Sequence, residues 1–303
     1  MKIGVAGLGK MGSAIAERLI ECGHELVVWN RSPDKAEPFA AKGATPAKSA
    51  ADLARAVEAI VTILFDADAI DGVYRTKDGI LAGDLSGKLV IDMSTVRPET
   101  AVALAKDVRA RGGAFVECPV GGSTGPARQG QLLGMAGGEA ADMARAKPIL
   151  DQLCRRFEHF GPVGSGARMK LAINLPLIVS YQALAEAFIL CRPNGTDPVE
   201  LMAFFSETAG APNVLKGRGP LIGKALKGHE VTPPAFDVDS IRKDLRTMIA
   251  EAESLGAKLP LAEDTLRIFD EAAEQGWGRK DGANLPAYWP RKFGGALSRG
   301  LPR

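Results

Sequence analysis

Along the first half of the chain, apolar residues gather in short β-branched runs separated by longer stretches rich in helix formers. The runs "KIGVAG" (2–7), "HELVVWN" (24–30), "EAIVTILF" (58–65), "KLVIDMS" (88–94) and "GAFVECP" (113–119) predict strands. Their alternation with helical segments implies βαβ units and a parallel sheet. Beyond "RRFEHFGPVG" (155–164) the strand pattern stops. The segments "KLAINLPLIVSYQALAEAFILCR" (170–192), "DPVELMAFFSET" (197–208), "VDSIRKDLRTMIAEAESLG" (238–256) and "PLAEDTLRIFDEAAEQG" (260–276) then space their apolar residues near the helical period. Two domains are expected, 1–163 and an all-helical 164–303, with a helix over 164–192 linking them. The Gly/Pro-rich pieces "PVGGSTGPARQG" (119–130), "GAPNVLKGRGP" (210–220) and "LPAYWPRKFGG" (285–295) predict loops or tail.

Composition narrows the partners. With 38 Lys+Arg against 36 Asp+Glu among 303 residues, the formal charge is +2, so no global field points to nucleic acid or a membrane surface. A small-molecule partner is expected. No uninterrupted apolar run reaches the roughly 18 residues of a membrane span, and the opening "MKIGVAGLGKMG" is broken by Lys10 and glycines where a signal peptide would be apolar. Cys22, Cys118, Cys154 and Cys191 are scattered without a CxxC pair, which fits reduced thiols in a cytoplasmic protein. No metal site is expected: His24, His159 and His229 lack ligand spacing, and the acids of "FDADAID" (65–71) read as a loop capping the next helix.

Residues 7–12, "GLGKMG", form G-x-G-x-x-G after the first strand and before the helical "MGSAIAERLIECG". By itself the pattern is weak in a chain with 35 glycines, where a merely structural turn is the alternative. In this context Gly7 permits the tight turn, Gly9 admits a pyrophosphate, and Gly12 lets the helix pack on the sheet. Leu8, Lys10 and Met11 complete the turn and present the helix N-terminus to the anion. At the end of the second strand, where an NAD site usually carries Asp or Glu, the chain reads "NRSPDK". Asn30 is neutral, and Arg31, Ser32 and Lys35 suit a 2′-phosphate. NADP is therefore expected, with NAD possible. Ser32 followed by Pro33 is also a helix-start pattern, and the two roles are compatible. Leu64, Phe65 and Asp66, at the end of the third strand, are placed on the adenosine side.

"GLGKMG", "DMSTVRPET" (92–100), "ECPVGGSTGPARQGQL" (117–132), "GSGARMKLAIN" (164–174) and "RKDL" (242–245) occur in an order that resembles the β-hydroxyacid dehydrogenase family, relatives of 6-phosphogluconate dehydrogenase. The resemblance runs from residue 1 to about 285. Lys170 with Asn174, "KGRGP" (216–220) and "PPAF" (233–236) resemble its glyoxylate and succinic semialdehyde reductase branch. The resemblance implies an α/β Rossmann-type dinucleotide-binding domain, a long interdomain helix, and an all-α domain that makes a homodimer or homotetramer. It implies hydride exchange between NAD(P)H and a short carbonyl or hydroxy acid. Thr95 matches a contact near the nicotinamide ribose, Lys243 a cofactor-contacting lysine, and Phe236 an aromatic of the substrate site. The family's substrate loop reads P-V-S-G-G or P-V-S-G-S, whereas this chain has Pro119-Val120-Gly121-Gly122-Ser123. Backbone donors at Gly122 and Ser123 remain, but the serine hydroxyl is absent at Gly121.

Carbonyl reduction builds negative charge on oxygen, so an acid in reach lowers the barrier, and in reverse the same group takes the hydroxyl proton. Desolvation brings a lysine toward the working range. Lys170 and Asn174, four residues apart, share a helical face. On spacing alone a solvated lysine with a core asparagine is the alternative; the accompanying motifs favour Lys170 as general acid/base and Asn174 as substrate-positioning group. Pro176 predicts a kink or irregular turn beside them. The expected activity is an NADPH-preferring reductase of small aldehydes or semialdehydes, acting on β-hydroxy acids in reverse. An imine reductase-like enzyme and a silent NADP-binding protein are the alternatives.

Overall fold

The five expected strands form the parallel part of one sheet. In the computed structural model, which describes residues 1–191, 195–212 and 214–292, they are β1 (Lys2–Ala6), β2 (Glu25–Trp29), β4 (Ala59–Thr62), β5 (Leu89–Asp92) and β6 (Ala114–Glu117). A two-residue β3 (Thr45–Pro46) pairs with the edge of β2, giving the order β3-β2-β1-β4-β5-β6. The connecting helices are α1 (Lys10–Glu21), α2 (Glu37–Ala40), α3 (Ala50–Ala56), α4 (Ala67–Tyr74) and α5 (Pro98–Ala110). This is the doubly wound arrangement whose strand order reverses between β1 and β4, where ligands bind outside the carboxyl ends of the strands.

Side chains along these strands alternate between two cores. Ile3, Val5, Val61, Ile91 and Val116 face α1, whereas Ile60, Val90 and Phe115 face α3, α4 and α5. Burial on both faces explains why the runs read as continuously apolar.

The Gly-rich region beyond β6 is more ordered than its composition suggested. It contains β7 (Val120–Gly121), α6 (Thr124–Arg128) and β8 (Leu132–Gly138), followed by α7 (Ala140–Leu153) and β9 (Cys154–His159). β8 runs antiparallel to β6 and β7, and β9 pairs parallel with β8. Its sequence "LLGMAGG" lacks β-branched residues because neighbours crowd it: a Cβ on Gly134 would lie 2.7 Å from Phe157 Cβ. Close approach demands glycine here, and glycine reads as loop.

Helix α8 (Ser165–Cys191) follows; Arg192 of the expected linking helix lies outside the described residues. Two compact units divide at Leu171/Ala172, in the second turn of α8. α8 continues through Pro176, so the irregular turn expected there does not form. Packing on the far side of the proline, where Ile178, Tyr181, Ala185 and Phe188 are buried at helical spacing, offsets the roughly 3 kcal/mol cost of an interior proline. By length and composition α8 also meets the test for a membrane span, with a mean hydropathy of 1.5, contrary to the expectation that no segment would. Of its most apolar 18-residue window, 39% is buried within the fold.

The second unit is helical, with α9 (Pro198–Phe205), α10 (Leu215–Leu226), α11 (Val238–Ser254), α12 (Pro260–Ala272) and α13 (Leu285–Lys292). Helices α10 and α13 occupy stretches expected as loops; residues 293–295 of the latter stretch lie outside the described residues. Glycine again misled the reading: a Cβ on Gly223 would lie 2.9 Å from Val199 Cα, so α10 packs on α9 through the positions that made it look like a turn.

Candidate active site

The glycine turn has the geometry its sequence implies. Gly7 has φ +98° and donates its N–H to the Trp29 carbonyl at 3.0 Å. A Cβ on Gly12 would lie 1.8 Å from the Gly7 carbonyl oxygen, so only glycine lets α1 start there. Gly9, at the N-cap of α1, faces open space, with nothing within 4 Å of where a Cβ would stand. A phosphate group fits this cradle, with the N–H groups of the first turn of α1 directed at it. Leu8 is buried in the core and Met11 packs against that core, so these two offer a ligand only their backbone. Lys10 is exposed at the first position of the helix.

Asn30 ties this turn to the end of β2. Its Oδ1 accepts from the Leu8 N–H at 2.9 Å and its Nδ2 donates to the Ser32 carbonyl at 3.1 Å. Arg31, Ser32 and Lys35 are exposed beside it. Ser32 stands at the cap of the 3₁₀ turn Pro33–Lys35 but its hydroxyl makes no capping hydrogen bond. A cavity of about 620 Å³ opens here, lined in part by Trp29, Asn30, Arg31, Lys48 and Ser49. Across the strand reversal, Leu64, Phe65 and Asp66 follow β4. Phe65 is 51% exposed, and the Asp66 carboxylate caps α4 by accepting from the Ala69 N–H at 2.8 Å, as the acidic-loop reading expected.

Beneath this rim lies a buried polar row that the sequence reading did not single out. Thr62, Asp92 and Glu117 end β4, β5 and β6 in register, on the face that carries Ile60, Val90 and Phe115 two residues earlier. The Thr62 hydroxyl donates to Asp92 Oδ1 at 2.6 Å and lies 2.8 Å from the Tyr74 hydroxyl. Ser94 Oγ donates to the same carboxylate oxygen at 2.8 Å and accepts from the Leu64 N–H at 2.9 Å, so Asp92 holds the segment next to Thr95. Burial pushes the Asp92 carboxyl up to about 6 against the pull of the Thr62 and Ser94 hydroxyls. Glu117 Oε1 accepts from the N–H groups of Gly164 (2.5 Å) and Gly166 (2.9 Å) at the start of α8. Burial raises the Glu117 carboxyl to about 7, opposed by those backbone donors and reinforced by Asp92.

The chain then enters the loop matched to substrate. Gly121 pairs with Leu133 as the last residue of β7, Gly122 has φ +125°, and Ser123 caps α6 without a side-chain hydrogen bond. A Cβ on Gly121 would meet Leu133 Cβ and Met135 Cε at 3.7 Å, ordinary contact distances, so sterics do not explain the missing serine. Lys170, in the second turn of α8, is only 8% exposed, and Asn174 one turn on is 5% exposed.

Within the second unit, Asn174 Nδ2 donates to Asp244 Oδ2 at 3.0 Å, and Lys243 Nζ lies 2.6 Å from the other oxygen of the same carboxylate. Asp244 thus orients two of the expected site residues. A second buried carboxylate, Asp281, pairs with Arg218 of "KGRGP" and accepts from the N–H groups of Ala235 (2.7 Å) and Phe236 (3.3 Å). It joins "KGRGP" and "PPAF", two of the three features that carried the branch resemblance. Neither acid was singled out, since their partners stand 70 and 63 residues away along the chain.

Comparison with known proteins covers both units. Residues 2–161 match the NAD binding domain of 6-phosphogluconate dehydrogenase, and residues 164–289 match the NAD-binding domain of NADP-dependent 3-hydroxyisobutyrate dehydrogenase. Glyoxylate/succinic semialdehyde reductase 1 of Arabidopsis thaliana is 33% identical over 281 residues, 93% of this chain and 96% of that protein. The 3-sulfolactaldehyde reductase of Escherichia coli strain K12 is 33% identical over 92% of each chain. Among solved structures, a 3-hydroxyisobutyrate dehydrogenase from Salmonella typhimurium superposes with a TM-score of 0.84 at 27% identity, covering 95% of this chain and 99% of that one.

Proposed function

Because the chain belongs to the β-hydroxyacid dehydrogenase family, and is therefore an NAD(P)-dependent oxidoreductase acting on CH–OH groups, we infer that it is an NADPH-preferring reductase of small aldehydes or semialdehydes. In reverse it oxidises the corresponding β-hydroxy acids, with Lys170 as the general acid/base. The observation that carries this reading is the lysine itself: Lys170 is 8% exposed in an apolar helix, one turn from the buried Asn174, the placement that a proton-transfer group and its substrate-positioning neighbour require.

The first turn of α1 holds the pyrophosphate, Arg31, Ser32 and Lys35 take the 2′-phosphate, and Leu64, Phe65 and Asp66 border the adenosine. Thr95 and Lys243 are assigned to the nicotinamide ribose on the family pattern. The bound nicotinamide supplies or accepts the hydride. On the family pattern Gly121, Gly122 and Ser123 are assigned to the substrate carboxylate, Phe236 to the substrate, and Asn174 to the oxygen that Lys170 protonates. Exposed Leu190 (80%), Phe204 (70%) and Leu261 (69%) in the second unit support a homodimer or homotetramer, checked by light scattering. Four free thiols support a cytoplasmic setting.

The deciding experiment follows NADPH and NADH oxidation against succinic semialdehyde, glyoxylate, sulfolactaldehyde and a cyclic imine. Turnover confined to the imine would replace this reading with an imine reductase, and cofactor binding without turnover of any carbonyl would leave a silent binding protein. Arg31→Ala is expected to weaken NADPH binding about tenfold or more while sparing NADH, since a hydrogen bond to a charged group contributes about 1.5–3 kcal/mol. Equal losses for both cofactors, by fluorescence titration, contradict the 2′-phosphate assignment. Gly121→Ser, which the space around Gly121 admits, is expected to lower KM for carboxylate-bearing aldehydes about tenfold on the same magnitude. An unchanged KM for glyoxylate shows that this loop does not hold the acid.

A further inference from the structure

Two buried carboxylates at adjacent strand ends are unusual in an α/β core, because each costs several kcal/mol to desolvate and like charges side by side add to that. The chemistry assigned above uses neither. Their connections differ. Asp92 reaches outward through Ser94 to the Leu64 N–H, on the cofactor rim. Glu117 reaches the first turn of α8 through two hydrogen bonds to one oxygen, while its Oε2 is buried and meets no protein donor.

The surroundings are shaped around this second contact. A Cβ on Gly137 would lie 2.4 Å from Glu117 Oε1, and one on Gly166 would lie 2.2 Å from the Met135 carbonyl oxygen. Glycine at both positions lets the carboxylate and the helix start occupy the same space. Gly166 and Lys170 are four residues apart, so in the helix the Lys170 N–H bonds the Gly166 carbonyl and the lysine's turn stands directly on the one that Glu117 holds.

We propose that Glu117 is a positioning residue for Lys170: its ionised carboxylate anchors the first turn of α8 to the end of β6, and protonation of Glu117 releases that anchor. The proposal rests on the reading of Lys170 as the proton-transfer group. An ionised carboxylate accepts backbone N–H bonds at a helix N-terminus more strongly than a neutral acid does, and the helix dipole favours the charge. The groups acting on Glu117 are Asp92 from β5, which raises it, and the backbone donors of Gly164, Gly166 and Ala167 at the start of α8, which lower it. Cys118, next in the chain, has its thiol pushed up by its hydrogen bond to Cys154 on β9, by burial and by Glu117 itself; β8 brings the glycine at 137. With the carboxyl raised to about 7, the anchor changes state near neutral pH.

Stability and anchoring then run in opposite directions. A folded-state value raised from 4.5 means the folded chain keeps a proton the unfolded chain releases, so the contribution to stability is full below about 4.5 and is lost as pH rises through about 7. The anchored form is the one with less of it.

The test compares wild type, Glu117→Gln and Lys170→Ala. It measures kcat for succinic semialdehyde at saturating NADPH from pH 5.5 to 9, and amide hydrogen exchange over residues 164–170 at pH 6 and 8. Wild type is expected to show a kcat limb near pH 7 and, after correction for intrinsic rates, greater protection of 164–170 at pH 8 than at pH 6. Glu117→Gln keeps the acceptor and the size but not the charge. It is expected to lose both the limb and the pH-dependent protection, with kcat at pH 8 down about 10- to 100-fold and KM for NADPH unchanged. Gly137→Ala, which displaces the carboxylate from the other side, is expected to lower kcat in the same way. A wild-type limb together with unchanged exchange in Glu117→Gln overturns the proposal. Failure of the underlying reading is separately visible as undiminished turnover by Lys170→Ala.

Discussion

Replacing Lys170 by alanine is expected to lower kcat for aldehyde reduction by about 10²- to 10⁴-fold, the range for loss of a positioned general acid. The dissociation constant of NADPH should change little, because the groups assigned to its phosphates stand on α1 and at the end of β2. The effect is expected to be large because, on the proposed assignment, the lysine's burial serves the reaction. Hydride delivery leaves an alkoxide that is unstable unless a proton or a fixed positive charge meets it, and a desolvated ammonium does both. The same loss is expected in the direction of alcohol oxidation, where the neutral amine takes the proton. Steady-state kinetics in both directions, with fluorescence titration of NADPH, test this. Turnover within threefold of wild type in either direction removes Lys170 from the chemistry.

Asp281→Ala is expected to cost about 3–5 kcal/mol of stability in the second unit, the magnitude for removing one partner of a buried ion pair. Asp281 is 1% exposed and its partner Arg218 17%, so the guanidinium left behind is largely shut off from water. The Ala235 and Phe236 N–H groups lose their acceptor together, and the loop that presents Phe236 loses its anchor. Although burial raises the Asp281 carboxyl, the hydrogen bond from Arg218 and those from the backbone outweigh it and hold the group below the usual carboxylate range. For such a group the stabilisation is present above the unfolded pKa and is lost as pH falls through the folded one. The acid limb of unfolding should therefore flatten in the variant. Urea unfolding followed by circular dichroism at pH 7 and pH 4 checks both points, and a cost under 1 kcal/mol at pH 7 contradicts the pairing.

What was legible in the sequence follows from what each residue does alone. The five parallel strands were readable because burial on both faces makes them continuously apolar, and Gly7 and Gly12 because a tight turn between strand and helix restricts residue choice to glycine, with Gly9 between them completing the pattern. β8, α10 and α13 were not readable, since local composition argues for loops where distant neighbours demand small or kinked residues. Asp92 and Glu117 left a faint signal: each is an acid closing a run of buried strand positions, two residues beyond Val90 and Phe115. Alternation along the strand would have put both inside the core. Asp281 left none, and Asp244 only its place in "RKDL", because an acid on a helix or in a loop is ordinarily solvated and only the fold brings Arg218 and Asn174 to them. The altered loop at Gly121 was visible in sequence, but only the geometry shows that a serine would fit there.

Asn30 bears on the timing of cofactor exchange. By spanning the Leu8 N–H and the Ser32 carbonyl, it makes the glycine turn and the corner beside Arg31 one piece. On the proposed cofactor assignment, a corner tied together in this way would impose little entropy loss on capture, and encounter would proceed at similar rates for either cofactor. Discrimination between two cofactors that differ by one phosphate is then expected in departure, in how long each one stays.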